Sequence, residues 1–502
     1  MTNQFLLLAS LLASLLWSDA AHGASFEPCA DAGMQAALRQ SLCARESVPL
    51  SHGPTVQPAD EQLFLFVRKF PAPVPSKGTV WLIAGGPGES GATLYPFIER
   101  LRRSFPGFDL LVPDHRGTGY SSRLCPEEES PSSPGGTALA GAEWGSCFGQ
   151  LAGKPERARQ FTITNAAHDL RRLIVRHHDG RPVYVYAVSY GTQLMLRALQ
   201  IGPLPVAGLV LDSLVPLQTD ERWELSRRSQ VVDDVGRKVL AQCDMDRHCR
   251  AILDEPVANV YRRVLASAPQ RPVLFAGVPG KNLPRLLGTM LDIAALRARI
   301  PYLLRDLDQG RDDELVSVLA RLPKIGATLA GYPQSPMSIP LVSIISGAEN
   351  NLRPSLTPAA LKAEEEPLLF SSSLPGLLLQ PTVPIYARDH YFGGQPAQLP
   401  PTLVLSGTLD PKTHYDGALQ HVAVLRRSGK VRQVAVTSAP HFILWVAPDC
   451  FERHVSAFVA GALPLGFDTT CETAIVSEQL AVSAGSTTVA PRLPPASSGQ
   501  TY

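Results

Sequence analysis

Between Val183 and Leu196 the chain reads VYVYAVSYGTQLML, an apolar run that turns into a helix-like pattern at Ser189. Ala187 lies two residues before this serine and Gly191 two after it. Small residues at those positions let a strand and a helix approach closely, and the sharp turn between them lifts the serine hydroxyl clear of the backbone. Taken alone, small-x-Ser-x-Gly arises about once by chance in a chain of this size, so its weight comes from the strand-to-helix context. A nucleophilic serine also needs donors for the negative charge that develops on the attacked oxygen. The Tyr190 backbone N–H, next after the serine at a helix N-terminus, would be one. The other would come from IAGGPGESG, Ile83 to Gly91, whose glycines allow amides to approach a substrate. Pro87 has no N–H, which leaves Gly86 or Gly85, and Gly86 is taken as the donor. The plainer reading of this loop is a glycine-rich turn that binds nothing.

The segments that would carry these groups alternate in type. EQLFLFVRKF, GTVWLIAGG, GFDLLVPDHRG, RPVYVYAVS and VAGLVLDSLVP read as strands. NAAHDLRRLIVRHH and YGTQLMLRALQIG read as helices between them. Near-continuous apolar strands alternating with helices predict a mostly parallel sheet with helices on both faces. From Thr219 the chain becomes helical and proline-broken, and FGGQPAQLPP leads back to TLVLSGTLDPKT, a strand and turn. A helix from about His414, the strand VRQVAVTS, a turn and a last helix near Pro448 follow. The expected organisation is a leader over 1–24, a core over 25–218, a helical insertion of domain size over 219–395, the rest of the core over 396–475, and a flexible tail over 476–502.

GGPGESG, DHRGTGYSS and AVSYGTQL, in this order and spacing, resemble the α/β-hydrolase family of proline iminopeptidases and tripeptidyl aminopeptidases. The likeness runs from about Glu61 to Cys471, and exported members of the tripeptidyl aminopeptidase branch fit best. It implies an α/β-hydrolase fold with a large helical lid inserted before the strand that carries the catalytic acid. It also implies a triad in the order Ser, Asp, His. LVLSGTLDPKT then supplies Asp410, with Asp212 in LVLDSLVP as its rival and helix capping as its structural alternative. VAVTSAPHFIL supplies His441, although Pro440 stands where the family usually has glycine. His414, His421 and His454 are expected at the surface. Asp114 and Arg116 of DHRGTGYSS are expected to form a structural ion pair. An aminopeptidase must hold a free ammonium group. Family members do so with a Trp-Glu pair early in the lid, which points to Trp223 and Glu224, with Glu221 nearby. Glu89 beside the oxyanion loop is a further candidate, and a solvated acidic helix start is the plainer reading of each.

Composition bounds the rest. The 502 residues are 45% hydrophobic and 18% charged, with 45 prolines and a net charge of +1, so no basic excess invites nucleic acid. Phe5 to Trp17 is apolar but short for a membrane span, and small residues follow it, as in a secretory signal peptide, although no Lys or Arg precedes it. No stable membrane insertion is expected after its removal, which places the protein outside the cell or in the periplasm. The eight cysteines allow 105 pairings. Neighbours closing short loops are the expectation: Cys29 with Cys43, Cys125 with Cys147, Cys243 with Cys249, and Cys450 with Cys471. Metal binding at CDMDRHC is the rival. The reaction needs no metal or cofactor. Three readings compete: a secreted serine exopeptidase acting on peptides with free N-termini, an esterase or other acyl hydrolase with the same triad, and a catalytically silent hydrolase fold used for binding.

Overall fold

A computed structural model describes residues 25–53, 61–379 and 383–472. The expected leader lies outside them, as does the tail from 476. Ten strands form one sheet: β1 (Glu27–Pro28), β2 (Leu42–Pro49), β3 (Gln62–Phe70), β4 (Thr79–Ile83), β5 (Asp109–Asp114), β6 (Val183–Val188), β7 (Gly208–Asp212), β8 (Thr402–Gly407), β9 (Val431–Val436) and β10 (Thr469–Cys471). Their spatial order is β1-β2-β3-β5-β4-β6-β7-β8-β9-β10. The pairings from β1 through β3 to β5 are antiparallel and all the others are parallel. This is the α/β-hydrolase fold.

Successive side chains of a strand point to opposite faces, and here both faces are apolar. Trp81 and Ile83 of β4, Val185 and Ala187 of β6 and Val404 of β8 enter one core. Val80, Leu82, Tyr186, Val188, Leu403 and Leu405 enter the other. Each fully buried aliphatic or aromatic side chain of this kind stabilises the fold by roughly 1.5–3 kcal/mol. The first core is roofed by α1 (Ile163–Arg176), α2 (Tyr190–Ile201) and, further along the chain, by Ala418, Val422 and Leu425. The second face is covered by Ile98 and Leu101 before β5 and by Phe451, Val455 and Phe458 near the end.

Between β7 and β8 the chain is helical. Its longer elements include α3 (Arg228–Met245), α4 (Val257–Ser267), α5 (Leu283–Leu291), α6 (Ile300–Asp308), α7 (Asp313–Leu329) and α8 (Ile339–Glu349). Helices α3 to α7 share a third core, built on residues such as Tyr261, Leu287, Met290 and Phe370. Helix α8 behaves differently: Leu341, Ile344, Ile345 and Ala348 pack into the core of the sheet domain. The insertion is therefore stitched to the body rather than perched on it.

Four disulfides join Cys29–Cys43, Cys125–Cys147, Cys243–Cys249 and Cys450–Cys471. Among the described residues, no helix is long and apolar enough to cross a membrane. Arg116 does not pair with Asp114. Its guanidinium makes a two-pronged bond with Asp169 at 2.7 Å and donates to the Leu50 and Gln160 carbonyls. Asp114 instead accepts the Gly91 and Tyr120 amides and Gln334 Nε2. The two side chains leave the strand end in different directions, one to tie α1 to the body and one to fasten the glycine loop.

Candidate active site

Strand β6 ends at Val188 and α2 begins at Tyr190, so Ser189 makes the whole turn, with φ 55° and ψ −127°. A non-glycine residue in such a conformation carries strain of roughly 1–3 kcal/mol and persists only where its surroundings hold it. They do so here: Ser189 N donates to Asp212 O at 3.0 Å, and Ser189 O accepts Thr192 N at 2.9 Å and Thr192 Oγ1 at 2.7 Å. At Gly191 a Cβ would stand 2.6 Å from Ala84 O and 2.7 Å from Ile83 O, so only glycine fits. The glycine loop is equally tight. Gly86 has φ +108°, and a Cβ on it would meet Gly88 N at 2.3 Å. Tyr190 opens α2, and a helix of this kind has no acceptor for its first N–H within the helix.

His441 follows β9 on a turn held from β7. Asp212, at the end of that strand, accepts Ile443 N at 2.8 Å, Leu444 N at 3.0 Å, Tyr186 Oη at 3.0 Å and Ser213 Oγ at 2.9 Å. Ser213 Oγ in turn accepts Phe442 N at 2.9 Å, where the backbone is left-handed (φ 70°). Asp212 is thus spent on the turn beside the imidazole. Burial, against those donors, holds its carboxyl above the usual range. Asp410, the other candidate acid, bonds His441 Nδ1 through Oδ2 at 2.8 Å. Its remaining capacity accepts Lys412 N, Thr413 N and Thr413 Oγ1, each at 2.7 Å. Burial alone would raise its pKa, but His441 and the Thr413 donors outweigh it and hold the carboxyl below its ordinary range. Thr413 Oγ1 also lies 3.3 Å from His441 Nδ1.

A cavity of about 300 Å³ brings most of the expected residues together. Ser189, Tyr190, Gly86, His441, Glu89 and Glu224 all line it. In this arrangement no hydrogen bond joins Ser189 Oγ to the imidazole among the described residues, a contact that commonly closes only when substrate binds. Glu89 sits beside Gly85, with Oε2 3.2 Å from where a Gly85 Cβ would be. Protein crowds Glu89, and that burial, opposed by Lys412 and His441, pushes its carboxyl up.

Glu224 is placed differently from its expected role. Its oxygens accept Ser226 N at 2.8 Å, Leu352 N at 3.2 Å and Ser226 Oγ, and Arg353 Nε lies 3.6 Å away. It is a cap in the cavity wall with its lone pairs engaged, while Glu221 is exposed. Trp223 does line the cavity and stacks on His414, rings 4.1 Å apart. His414 and His421 are not surface residues: they are 2% and 6% exposed. The insertion covers the first and Gln395 meets the second.

Sequence reading passed over three features of the site. Thr413 was visible in LDPKT but was not given its double contact. Lys412, in the same string, pairs with Asp292 at 2.6 Å in the cavity wall. Arg228, the last arginine of DERWELSRR, also reaches the cavity.

The α/β-hydrolase fold thus holds a serine on a strained turn and a carboxylate–imidazole pair around one cavity. A sequence model described as alpha/beta hydrolase fold matches residues 78–252. Over 471 residues the chain is 24% identical to the serine protease Hip1 of Mycobacterium tuberculosis, covering 86% of this chain and 88% of that one. It is 25% identical over 297 residues to the putative hydrolase YuaR of Escherichia coli, covering 55% and 58%. Among solved structures, a laboratory-evolved variant of the potato epoxide hydrolase StEH1 matches with 14% identity and a TM-score of 0.36, over 84% of this chain and 99% of that one.

Proposed function

We propose that the protein is an exported serine exopeptidase that cleaves near the free N-terminus of peptides. The observation that carries this reading is the shared cavity lined by strained Ser189, by the His441 imidazole that Asp410 holds, and by the carboxylate of Glu89. His441 takes the Ser189 hydroxyl proton as the oxygen attacks the scissile carbonyl. The resulting oxyanion lies against the Gly86 and Tyr190 amides. His441 passes the proton to the leaving amine, and water, activated in the same way, hydrolyses the acyl-enzyme. Asp410 stays ionised throughout, holding the imidazole tautomer and stabilising its charged form. Glu89 takes the substrate ammonium, whose charge offsets the cost of ionising an enclosed carboxyl. A cavity of about 300 Å³ beneath the insertion admits a short segment of extended peptide. The distant similarity to a serine protease supports a peptidase over an esterase. The four disulfides support a periplasmic or secreted location, since such bonds persist in oxidising compartments.

The test is a fluorophosphonate probe followed by peptide mapping, with matched peptides bearing free or acetylated N-termini assayed in parallel. The expected result is a label on Ser189, its loss in Ser189→Ala, and turnover of the free-amine peptides only. A label elsewhere would overturn the nucleophile. Equal turnover of the acetylated peptides would overturn the exopeptidase reading and favour a general acyl hydrolase.

A further inference from the structure

One cation in the cavity wall touches no acid among the described residues. Arg228 is the first residue of α3 and faces the cavity, and its side chain makes no hydrogen bond or ion pair among the described residues. Its Nε is enclosed with no partner. Desolvation lowers its pKa, and the charges that oppose this are Asp410 and Asp292, neither in contact. Asp410 is committed to His441, and Asp292 binds Lys412 through Oδ2 at 2.6 Å, while its Oδ1 is buried with no hydrogen bond among the described residues. A second guanidinium, Arg297, also feels Asp292 and is spent on the Ser438 carbonyl at 2.7 Å. Among the described residues three cations thus feel Asp292, and of these Lys412 alone is paired with it. Glu89, the other acid nearby, is the group assigned above to the substrate amine. Leaving a half-buried guanidinium unpaired is costly, and Arg is the side chain best shaped to bind a carboxylate through two parallel N–H bonds. The N-terminus of α3, at the same point, adds partial positive charge.

We propose that Arg228 is the centre of a carboxylate-binding subsite within the cavity and makes the enzyme select peptides that bring an anionic group to it. This rests on the exopeptidase reading of the site. The carboxylate has two possible sources in a peptide: the side chain of an acidic residue, or the free C-terminus of a short substrate. Either would replace a missing counter-ion and fix the register of the chain over Ser189.

The test uses the full chain and alanine-based hexapeptides with a free amino group, carrying Glu or Gln at each position in turn, each as free acid and as carboxamide. Wild type is expected to favour, by about tenfold or more in kcat/KM, either Glu over Gln at one position or free acid over amide. Which of the two it favours identifies the source. The ratio is expected to fall toward one in Arg228→Met, mainly through KM, and to be partly restored in Arg228→Lys. Direct binding of the same peptides to Ser189→Ala, with and without Arg228→Met, reads the subsite without turnover. Turnover with neither preference, or a preference untouched by Arg228→Met, would overturn the subsite while the peptidase reading stands. Absence of turnover on any peptide, together with Arg228-dependent binding of the carboxylate, would overturn the peptidase reading and keep the subsite. Should Arg228→Met fail to fold, the Arg228→Lys ratios and wild-type binding decide the matter alone.

Discussion

At the residue scale, the imidazole is held by a carboxylate whose two oxygens are both doubly engaged. Asp410 Oδ2 receives both His441 Nδ1 and Thr413 Oγ1. Replacing Asp410 by Asn keeps the shape but reverses the donor, so kcat is expected to fall about 10⁴-fold with folding intact, measured by steady-state assay and thermal melting. Thr413→Val removes one neutral hydroxyl and should cost about tenfold in kcat, because the Thr413 amide still bonds the carboxylate. A loss from Thr413→Val as large as that from Asp410→Asn would mean the threonine does more than steady the acid. Much of this was legible before any coordinates. The turn at Ser189 needs only its near neighbours, and local chemistry can be read from a string. What could not be read depends on distant partners. Glu224 reads as free because Leu352, which together with nearby Ser226 engages its oxygens, lies 128 residues away, and Arg116 reads as a partner for Asp114 because Asp169, its actual partner, lies 53 residues away.

At the scale of elements, the meeting of β6 and α2 has no room to spare. Gly191→Ala is expected to push against two carbonyls, one at the end of β4 and one just after it, costing about 1–3 kcal/mol of stability and lowering kcat as the Ser189 turn shifts. Melting temperature and single-turnover kinetics would show both effects. His421 offers a separate check on how the later core is packed. Its Nδ1 donates to Val215 O at 2.7 Å, and burial, against that bond, brings its pKa down to about 4. The sign follows from linkage. The unfolded histidine takes up a proton near 6.5, whereas the folded one waits until about 4. Stability attributable to His421 is therefore full above 6.5 and is lost as the pH falls toward 4, at about 1.4 kcal/mol per pH unit. His421→Gln should flatten that part of a denaturation-versus-pH curve, and an unchanged slope would refute the assignment. The sheet strands were readable from apolar continuity, because both faces are covered. The edge strands β1 and β10 were not, being two and three residues long, nor was β2, where charged Glu46 takes an inward position.

For the whole molecule, the cross-links and the insertion set what can be removed. Loop-closure entropy grows with the enclosed length, so Cys125–Cys147, spanning 22 residues, should contribute about 3 kcal/mol, and Cys243–Cys249, spanning 6, about 2. Paired serine substitutions with urea denaturation would rank them, and the reverse order would count against the entropic account. The bond from Ser338 N to Gly88 O, at 3.0 Å, joins the glycine loop to the insertion just ahead of α8. A Cβ on Gly88 would lie 2.5 Å from Ser338 O, and Ser338 Oγ is anchored to Glu129. The roof and the proposed oxyanion loop are consequently one piece of masonry. An evolutionary or engineered swap of the cap for another would have to rebuild that keystone as well, or inherit a nucleophile with nothing to steady the charge it creates.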